Sequence, residues 1–312
     1  MIKQIKTLCF VFLTCYLWGQ QNDALRFNYD NQFINNPAAT ATFLDLSATA
    51  YHQKTFTGIN RAPASSLIAL QIPFRDWNMS GGAALQSQSI GLLTDTRFNL
   101  SYAYKIRLNR SRSQLAIGLS AELIQLRIDG SNIESTVDLS DPTLSTVVGN
   151  DLTSNFGVGV VYSSTDRLTD RDDLVYQFGL AMSQTLRNES EINNFSFRQT
   201  RQFSAFTTVR YNLLPDLRLS GLLEAQYEAI DLVDVRLNVS ALWYDIAHTG
   251  ISYDAQRLVS VEAGMQIEDY IGLDRGRLLV AVSGTLPVGS SNIAINQGYA
   301  LRIFYSFDVS NF

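Results

Sequence analysis

Alternation of side-chain character with a period of two constrains this chain most strongly. From Gly298 to Phe312 the sequence reads GYALRIFYSFDVSNF, with an apolar or aromatic residue at every second position from Tyr299 to Phe307. Successive side chains of an extended strand point to opposite faces, so the pattern gives one apolar face and one mixed face. In a soluble sandwich either face could be the buried one. The pattern therefore predicts a β-strand without deciding where it lies.

The last residue of the chain favours a membrane barrel over a soluble sandwich. The sequence stops on the aromatic residue Phe312, directly after the alternating strand. A closing strand that ends in Phe resembles the last strand of an outer-membrane β-barrel, where the terminal aromatic resembles the signal read by the barrel-insertion machinery. This likeness predicts export to the outer membrane.

Strand-sized units fill the rest of the chain after residue 43. Most measure about 9–11 residues or more, the length that a tilted strand needs to cross a bilayer. The predicted strands are 44–52, 67–74, 80–89, 96–108, 114–128, 154–163, 174–186, 201–213, 217–227, 234–244, 247–254, 259–268, 277–286 and 297–308. We therefore predict an all-β protein, a transmembrane antiparallel up-and-down β-barrel of about 14 strands over residues 43–312. An even number suits a single-chain bacterial barrel.

The two faces of these strands differ in the way that a membrane barrel requires. In the segment 98–108, Phe98, Leu100, Tyr102 and Tyr104 share one face, while the intervening positions are mostly polar or small. An apolar face towards lipid and a polar face towards a lumen is the natural assignment. Because every backbone amide must be paired inside lipid, an open sheet is excluded and the barrel must close.

The N-terminus has the order of a secretory signal peptide. Residues 1–19 carry Lys3 and Lys6, then an apolar run to Trp18, then Gly19. Both cysteines of the chain, Cys9 and Cys15, lie in this segment, so the mature chain has no thiol and forms no disulfide. Residues 20–42 are polar and rich in Asn, and they predict an irregular N-terminal segment, periplasmic or plug-like, ahead of the barrel.

The connections alternate in length. If the first strand runs outward, the long connections 53–66, 129–153, 187–200 and 287–296 all fall on the outer side. Most connections on the inner side are short, such as 75–79 and 214–216. This asymmetry is typical of outer-membrane barrels. The long connections 53–66 and 129–153 are our candidates for partner contacts.

No catalytic, cofactor-binding or metal-binding residues are predicted. The only histidines, His52 and His248, are remote in sequence, and each is read as an interfacial or lumenal polar residue. A barrel hydrolase would need one of them paired with a Ser nucleophile and an orienting polar residue. The acidic stretch 166–173 lacks the Gly and distal Glu of a calcium loop, so it is read as a solvated turn. A net charge of −5 without a basic cluster excludes nucleic acid as a partner.

Charged residues on the polar faces are expected in the lumen. Their mixed signs favour ion pairs across a filled lumen over a selectivity ring of one sign, although a substrate path stays open as the alternative. The expected lumenal charges are Lys105, Arg107, Glu122, Arg210, Glu224, Arg236, Glu262 and Arg302.

Five segments in order resemble a known family. Residues 27–41 (FNYDNQFINNPAATA) resemble the Asn-Pro-Ala segment that opens the PorP/SprF family of type IX secretion system membrane proteins. Residues 46–64, 98–108, 117–130 and 155–162 are similar to its following strands. The likeness covers essentially the whole mature chain. Two departures, Thr40-Ala41 after the Asn-Pro-Ala and Phe56 at a position where Trp is common, leave open which member this is.

The resemblance implies a function that the periodicity does not. It implies a non-enzymatic outer-membrane barrel that assists secretion or surface anchoring of a cognate cargo, such as a large adhesin, through the cargo's C-terminal sorting domain. It also implies contacts with other type IX components, among them periplasmic peptidoglycan-binding or ring-forming proteins. The alternative is a passive outer-membrane channel of the fatty-acid-transporter type, which about 14 strands would also suit.

Overall fold

Antiparallel β-strands make up most of the computed structural model. It describes residues 25–43, 45–108, 112–129, 148–166, 173–186, 188–192, 195–228, 232–255, 257–268, 276–288 and 297–308. The strands are β1 Asp45–Lys54, β2 Ala64–Phe74, β3 Met79–Ile90, β4 Leu93–Arg107, β5 Gln114–Asp129, β6 Val148–Ser163, β7 Leu174–Ser183, β8 Glu189–Ile192, β9 Phe195–Arg198, β10 Gln202–Leu214, β11 Leu217–Glu228, β12 Leu232–Trp243, β13 Ala247–Asp254, β14 Leu258–Glu268, β15 Gly276–Pro287 and β16 Gly298–Asp308. Three short 3-10 turns, η1 Gln32–Ile34, η2 Pro37–Ala39 and η3 Arg75–Trp77, complete the elements.

Fourteen of the strands form one closed barrel, which confirms the predicted fold class. Each strand pairs with its neighbours in the chain, except that β7 pairs directly with β10. The first and last strands close the wall through a continuous antiparallel register from Asp45 opposite Asp308 to Lys54 opposite Tyr299. Closure gives each of the 14 barrel strands two partners, so the barrel sheet has no open edge.

The outer wall is apolar and the inner wall is polar or small. On β16, Tyr299, Leu301 and Ile303 are 39–50% exposed, whereas Ala300 and Arg302 between them are buried. Strands β4 and β12 repeat the pattern. A surface ringed by exposed aliphatic and aromatic side chains suits lipid, whose hydrocarbon core offers no partner to polar groups. No helix among the described residues is long and apolar enough to cross a bilayer.

Strand positions follow the alternating segments closely, and the largest differences lie at strand ends. β6 begins at Val148, so part of the predicted loop 129–153 is strand. β7 ends at Ser183, and the predicted loop 187–200 contains the separate hairpin β8–β9. Both differences arise where alternation is weak and pairing with a neighbour decides the structure.

The long connections lie at one end of the barrel, as predicted. We call this the loop end; it carries the connections 55–63, 130–147, 184–201 and 288–297. The opposite turn end carries short ones, such as 215–216 and 244–246. Several predictions fall outside the described residues: the signal peptide 1–19 with Cys9 and Cys15, most of the loop 129–153, most of the acidic stretch 166–173, and Phe312.

Candidate functional site: the plugged lumen

The N-terminal segment 25–43 lies inside the barrel. Eight-stranded barrels are filled by their own side chains, whereas much wider ones leave an aqueous channel, so a 14-stranded wall encloses space that its side chains cannot fill. The segment contacts strands around the whole circumference. Its wall partners include Gln53 of β1, Gln71 of β2, Ser101 of β4, Val160 of β6, Ser204 of β10, Arg236 of β12 and Arg302 of β16. Only an element within the lumen reaches all of these strands. We call residues 25–43 the plug.

Local hydrogen bonds shape η2, the second of the two 3-10 turns in the plug. Asn36 caps η2, because its Oδ1 accepts a hydrogen bond from the N–H of Ala38 at 3.0 Å. Pro37 at the first position of η2 has no N–H to leave unsatisfied. The Thr40 hydroxyl donates to the Pro37 carbonyl at 2.6 Å and closes the turn. The Asn-Pro-Ala signature is therefore a compact turn with few unpaired backbone groups.

The core of the protein lies where the plug meets the wall. Phe27, Phe33 and Ala38 of the plug are at most 1% exposed and pack with Leu67 and Leu222 of the wall. Burying a Phe or Leu side chain contributes about 1.5–3 kcal/mol. Apolar contact thus holds the plug in a lumen whose wall is otherwise polar.

Inward-facing glycines make room for the plug backbone. A Cβ placed on Gly118 of β5 would lie 2.1 Å from the Ala38 nitrogen, and one on Gly159 of β6 would lie 2.1 Å from Asn36 Oδ1. Both separations are far below van der Waals contact. The glycines therefore allow the Asn36–Ala38 turn to lie directly against the sheet.

An ion-pair network ties the plug to β16 and β14. Arg302 donates to Glu262 at 2.6 Å and to Asp30 of the plug at 2.9 Å. His248 lies 2.8 Å from the same Glu262 oxygen. The guanidinium carbon of Arg302 also lies 5.9 Å from the centre of the Tyr29 ring. Burial raises the pKa of the Tyr29 phenol above its usual value.

A second network holds the other side of the plug. Arg236 donates to the Leu25 carbonyl at 2.9 Å and pairs with Glu224 at 3.5 Å and Asp234 at 3.0 Å. Glu224 in turn accepts a hydrogen bond from Asn35 at 2.5 Å. Hydrogen bonds to charged groups contribute about 1.5–3 kcal/mol each when both partners are buried. Ion pairing inside a filled lumen is thus confirmed, with pairs that join nearby wall strands to one another and to the plug.

Seven of the eight expected lumenal charges face the lumen, and one prediction is wrong. Lys105 is buried and donates to the Ala41 carbonyl of the plug. Arg107 instead lies at the turn end of β4, where its side chain is 55% exposed and pairs with Asp166 at 3.5 Å. The alternation places Arg107 on the inward face, but Arg107 is the last residue of β4 and lies at the rim of the barrel. Its side chain therefore reaches solvent.

Two cavities among the described residues lie on either side of the plug. A cavity of about 210 Å³ lies towards the turn end; its lining includes Asp30 and Phe43 of the plug and Arg210 and Arg277 of the wall. A cavity of about 80 Å³ lies towards the loop end, against Asn35 of the plug and Arg97 of β4. The two cavities share no lining residue among those the structure describes. In the described structure the plug therefore lies between the two cavities.

Neither histidine forms a complete hydrolytic site. His52 Nδ1 lies 2.9 Å from the Ser66 hydroxyl on the outer face of β1 and β2. In the described part of the chain no polar residue orients its other ring nitrogen, as a hydrolytic site would require. His248 is buried in the lumen beside Glu262 and Arg302. Over the same residues no cluster of three His, Cys, Asp or Glu side chains has the arrangement of a metal site.

Sequence reasoning left open whether the lumen is plugged, yet signals for a plug are present. The strands read IGLSAEL and NFGVGVV, so glycines occupy inward positions where a barrel without a plug would place side chains. Gln53, Gln71 and Gln114 are long amides on inward faces, and all three reach plug backbone or turn groups. Inward glycines and amides together point to an irregular chain packed in the lumen.

Comparison with known proteins identifies the family. The sequence profile described as type IX secretion system membrane protein PorP/SprF matches residues 19–301, nearly the whole chain. The chain belongs to the PorP/SprF family. The match confirms the resemblance seen in the five sequence segments, and it includes the plug as well as most of the barrel. Among proteins with curated descriptions, none matches the sequence of this family member.

Solved structures show the same fold at low identity. The CymD monoaromatic hydrocarbon channel is similar with a TM-score of 0.52 and 12% identity, over 91% of this chain and 94% of that one. A TodX deletion mutant, also a monoaromatic hydrocarbon channel, gives a TM-score of 0.50 and 12% identity, over 90% and 95% of the two chains. At this identity the likeness shows the barrel fold alone. Family and fold together place this PorP/SprF protein in the outer membrane.

Proposed function

We propose that this barrel is a non-enzymatic accessory component of type IX secretion that assists export or surface anchoring of a cognate cargo. The cargo, a large adhesin being one example, is recognised through its C-terminal sorting domain. Family membership supports the secretion role. The observation that supports the proposal is the plug, which lies in the lumen between the two cavities, so that the two ends of the barrel are the surfaces available to partners.

The loop end is the surface proposed for cargo contact. Residues 57–61 of the β1–β2 connection are all exposed, and the Ile59 side chain is 50% exposed. Backbone hydrogen bonds from Thr57 to Gln297 and from Gly91 to Arg61 hold this connection over the barrel rim. An exposed aliphatic side chain on a held loop suits a protein partner, since interface centres are apolar.

Other type IX components are proposed to meet the turn end. If the loop end faces outward, the turn end faces the periplasm, where peptidoglycan-binding or ring-forming components lie. Trp77 is 69% exposed there, next to Arg75 and Asp76. Exposed aromatic side chains and arginines are enriched in protein interfaces.

Deletion of the gene followed by profiling of surface proteins tests the proposal. Loss of one or a few proteins with type IX sorting domains, restored by the wild-type gene, is the expected result. An unchanged set of surface cargo would contradict the secretion role.

A matched pair of variants tests where the cargo docks. Ile59→Ser changes the loop end, and Ile246→Ser changes a residue of similar exposure, 50% against 54%, in the β12–β13 turn, which lies far around the ring of strands from the proposed contact residue Trp77. Both replacements are outside the core, so both barrels should assemble. We expect reduced surface cargo with Ile59→Ser and normal cargo with Ile246→Ser. Equal effects of the two replacements would argue against docking at the loop end.

The alternative function is passive transport of small molecules, which the barrel fold allows. Such transport would require the plug to shift, because the two cavities share no lining residue in the described part of the lumen. It predicts a permeable protein, whereas the secretion role does not require permeability.

A further inference from the structure

We infer that the cavity at the turn end is a binding site for a small oxyanion, a carboxylate or phosphate compound. This inference does not depend on the cargo role. Four arginines and two aspartates line the cavity, so its wall carries more cationic than anionic groups. The four arginines are Arg210, Arg218, Arg277 and Arg302.

The arginines differ in how far protein carboxylates already neutralise them. Arg302 pairs with both Glu262 and Asp30, and Arg277 pairs with Asp45 at 3.0 Å. Arg218 has a longer contact of 3.5 Å with Asp245, whose side chain is half exposed. Arg210 forms no ion pair with any residue that the structure describes. The surplus of positive charge therefore lies around Arg210.

Arg210 is held in place without being neutralised. Its guanidinium carbon lies 5.8 Å from the centre of the Phe43 ring at the end of the plug. Of the neighbouring charges, the cations Arg218 and Arg277 act on it more strongly than the carboxylates Asp30 and Asp45. A guanidinium presents a planar fork of donors that matches a carboxylate or phosphate, and stacking on a ring orients that fork. An oxyanion between these arginines would relieve their mutual repulsion.

Further donors lie beside Arg210 on neighbouring strands. Gln177 accepts from the Thr208 hydroxyl at 3.1 Å, while its own side-chain N–H₂ group is buried without a partner in the structure. Gln177 and Thr208 are opposite each other in the β7–β10 register, and Ser220 is opposite Arg210 in the β10–β11 register. All of them line the same cavity. A buried amide donor without an acceptor is the second sign that the site is built for an acceptor group.

The size of the cavity limits the ligand. Its volume of about 210 Å³ lies below the range of roughly 300–1,000 Å³ that is usual for drug-sized ligands. It opens near strand ends where the side chains of Arg277 and Asp45 are partly exposed. A compact compound with one or two oxyanion groups fits these limits.

Calorimetric titration of the purified full-length protein in detergent tests the inference. The probes are inorganic phosphate and citrate at low ionic strength. We expect saturable binding of at least one probe with one site per chain and a Kd of about 1 mM or tighter. The Arg210→Gln variant should bind at least tenfold more weakly, and Arg210→Lys should bind with intermediate affinity because it keeps the charge but loses the fork.

The matched control is Arg97→Gln. Arg97 lines the smaller cavity and has its own partner, Asp95, at 2.6 Å. Its replacement should leave the affinity for the probe unchanged, although it can alter stability. Binding of phosphate but not citrate would show that the site takes phosphate compounds, and the reverse would show that it takes carboxylates. Absence of saturable binding of both probes, or equal binding by wild type and Arg210→Gln, would overturn the inference.

Discussion

At the scale of single residues, the plug depends on wall glycines that leave space for its backbone as much as on the side chains that contact it. Gly118 faces inward on β5, and the Ala38 nitrogen lies where its Cβ would be placed. Gly284 on β15 is a useful contrast, since a Cβ there meets nothing within 4 Å. Both glycines are in strands of the same wall. They differ in the face they occupy: Gly118 faces the plug, whereas Gly284 lies between the buried Ser283 and Thr285 and therefore faces outward.

The replacement Gly118→Ala should therefore destabilise the protein, by about 1–3 kcal/mol as for other overpacked cores, because the plug must move away from β5. Gly284→Ala is the control and should be close to neutral. Thermal unfolding in detergent, followed by the mobility shift of the folded barrel in unheated gels, measures both. Equal midpoints for Gly118→Ala and wild type would show that the plug does not press on β5.

At the scale of elements, side-chain hydrogen bonds join the plug to the wall and hold side chains of the two elements close together. Thr40 of the plug and Ser101 of β4 have their hydroxyl oxygens 2.9 Å apart. The only cysteines of the chain, Cys9 and Cys15, lie in the predicted signal peptide. A new pair of cysteines can therefore report on the plug without interference from other thiols.

The double variant Thr40→Cys with Ser101→Cys should form a disulfide in the outer membrane, since its sulfur atoms would start close to bonding distance. Ser252 lies on β13, on the opposite side of the ring of strands, so Thr40→Cys with Ser252→Cys is the matched control and should stay reduced. Thiol labelling before and after reduction distinguishes the two states. A reduced Thr40/Ser101 pair in assembled barrels would place the plug elsewhere.

The same scale shows what the sequence predicts and what it does not. The strands were predictable because lipid on one side and a lumen on the other enforce a strict period of two, as in β4 and β16. The hairpin β8–β9 was not, because its strands have four residues each and pair only with one another. The path of the plug through the lumen depends on contacts with distant strands, such as Asn35 with Glu224, which no local pattern encodes.

At the scale of the whole molecule, the number of strands explains why the barrel contains a plug. A wall of 14 strands is wider than its inward side chains can fill, and the 25–43 segment fills the space with a small core and two ion-pair networks. The cavities on either side of it share no lining residue within the described lumen. The central claim of the proposed secretion role is that such a barrel acts through partner contacts at its two ends and not through an open lumen.

Single-channel recording in planar bilayers tests that claim most directly. The wild-type protein should insert without a steady open-pore conductance, because the plug blocks the lumen. A variant lacking residues 25–43 serves as the comparison and should conduct, since its polar wall would then enclose water. A steady conductance from the wild-type protein, equal to that of the plugless variant, would contradict the account and favour passive transport.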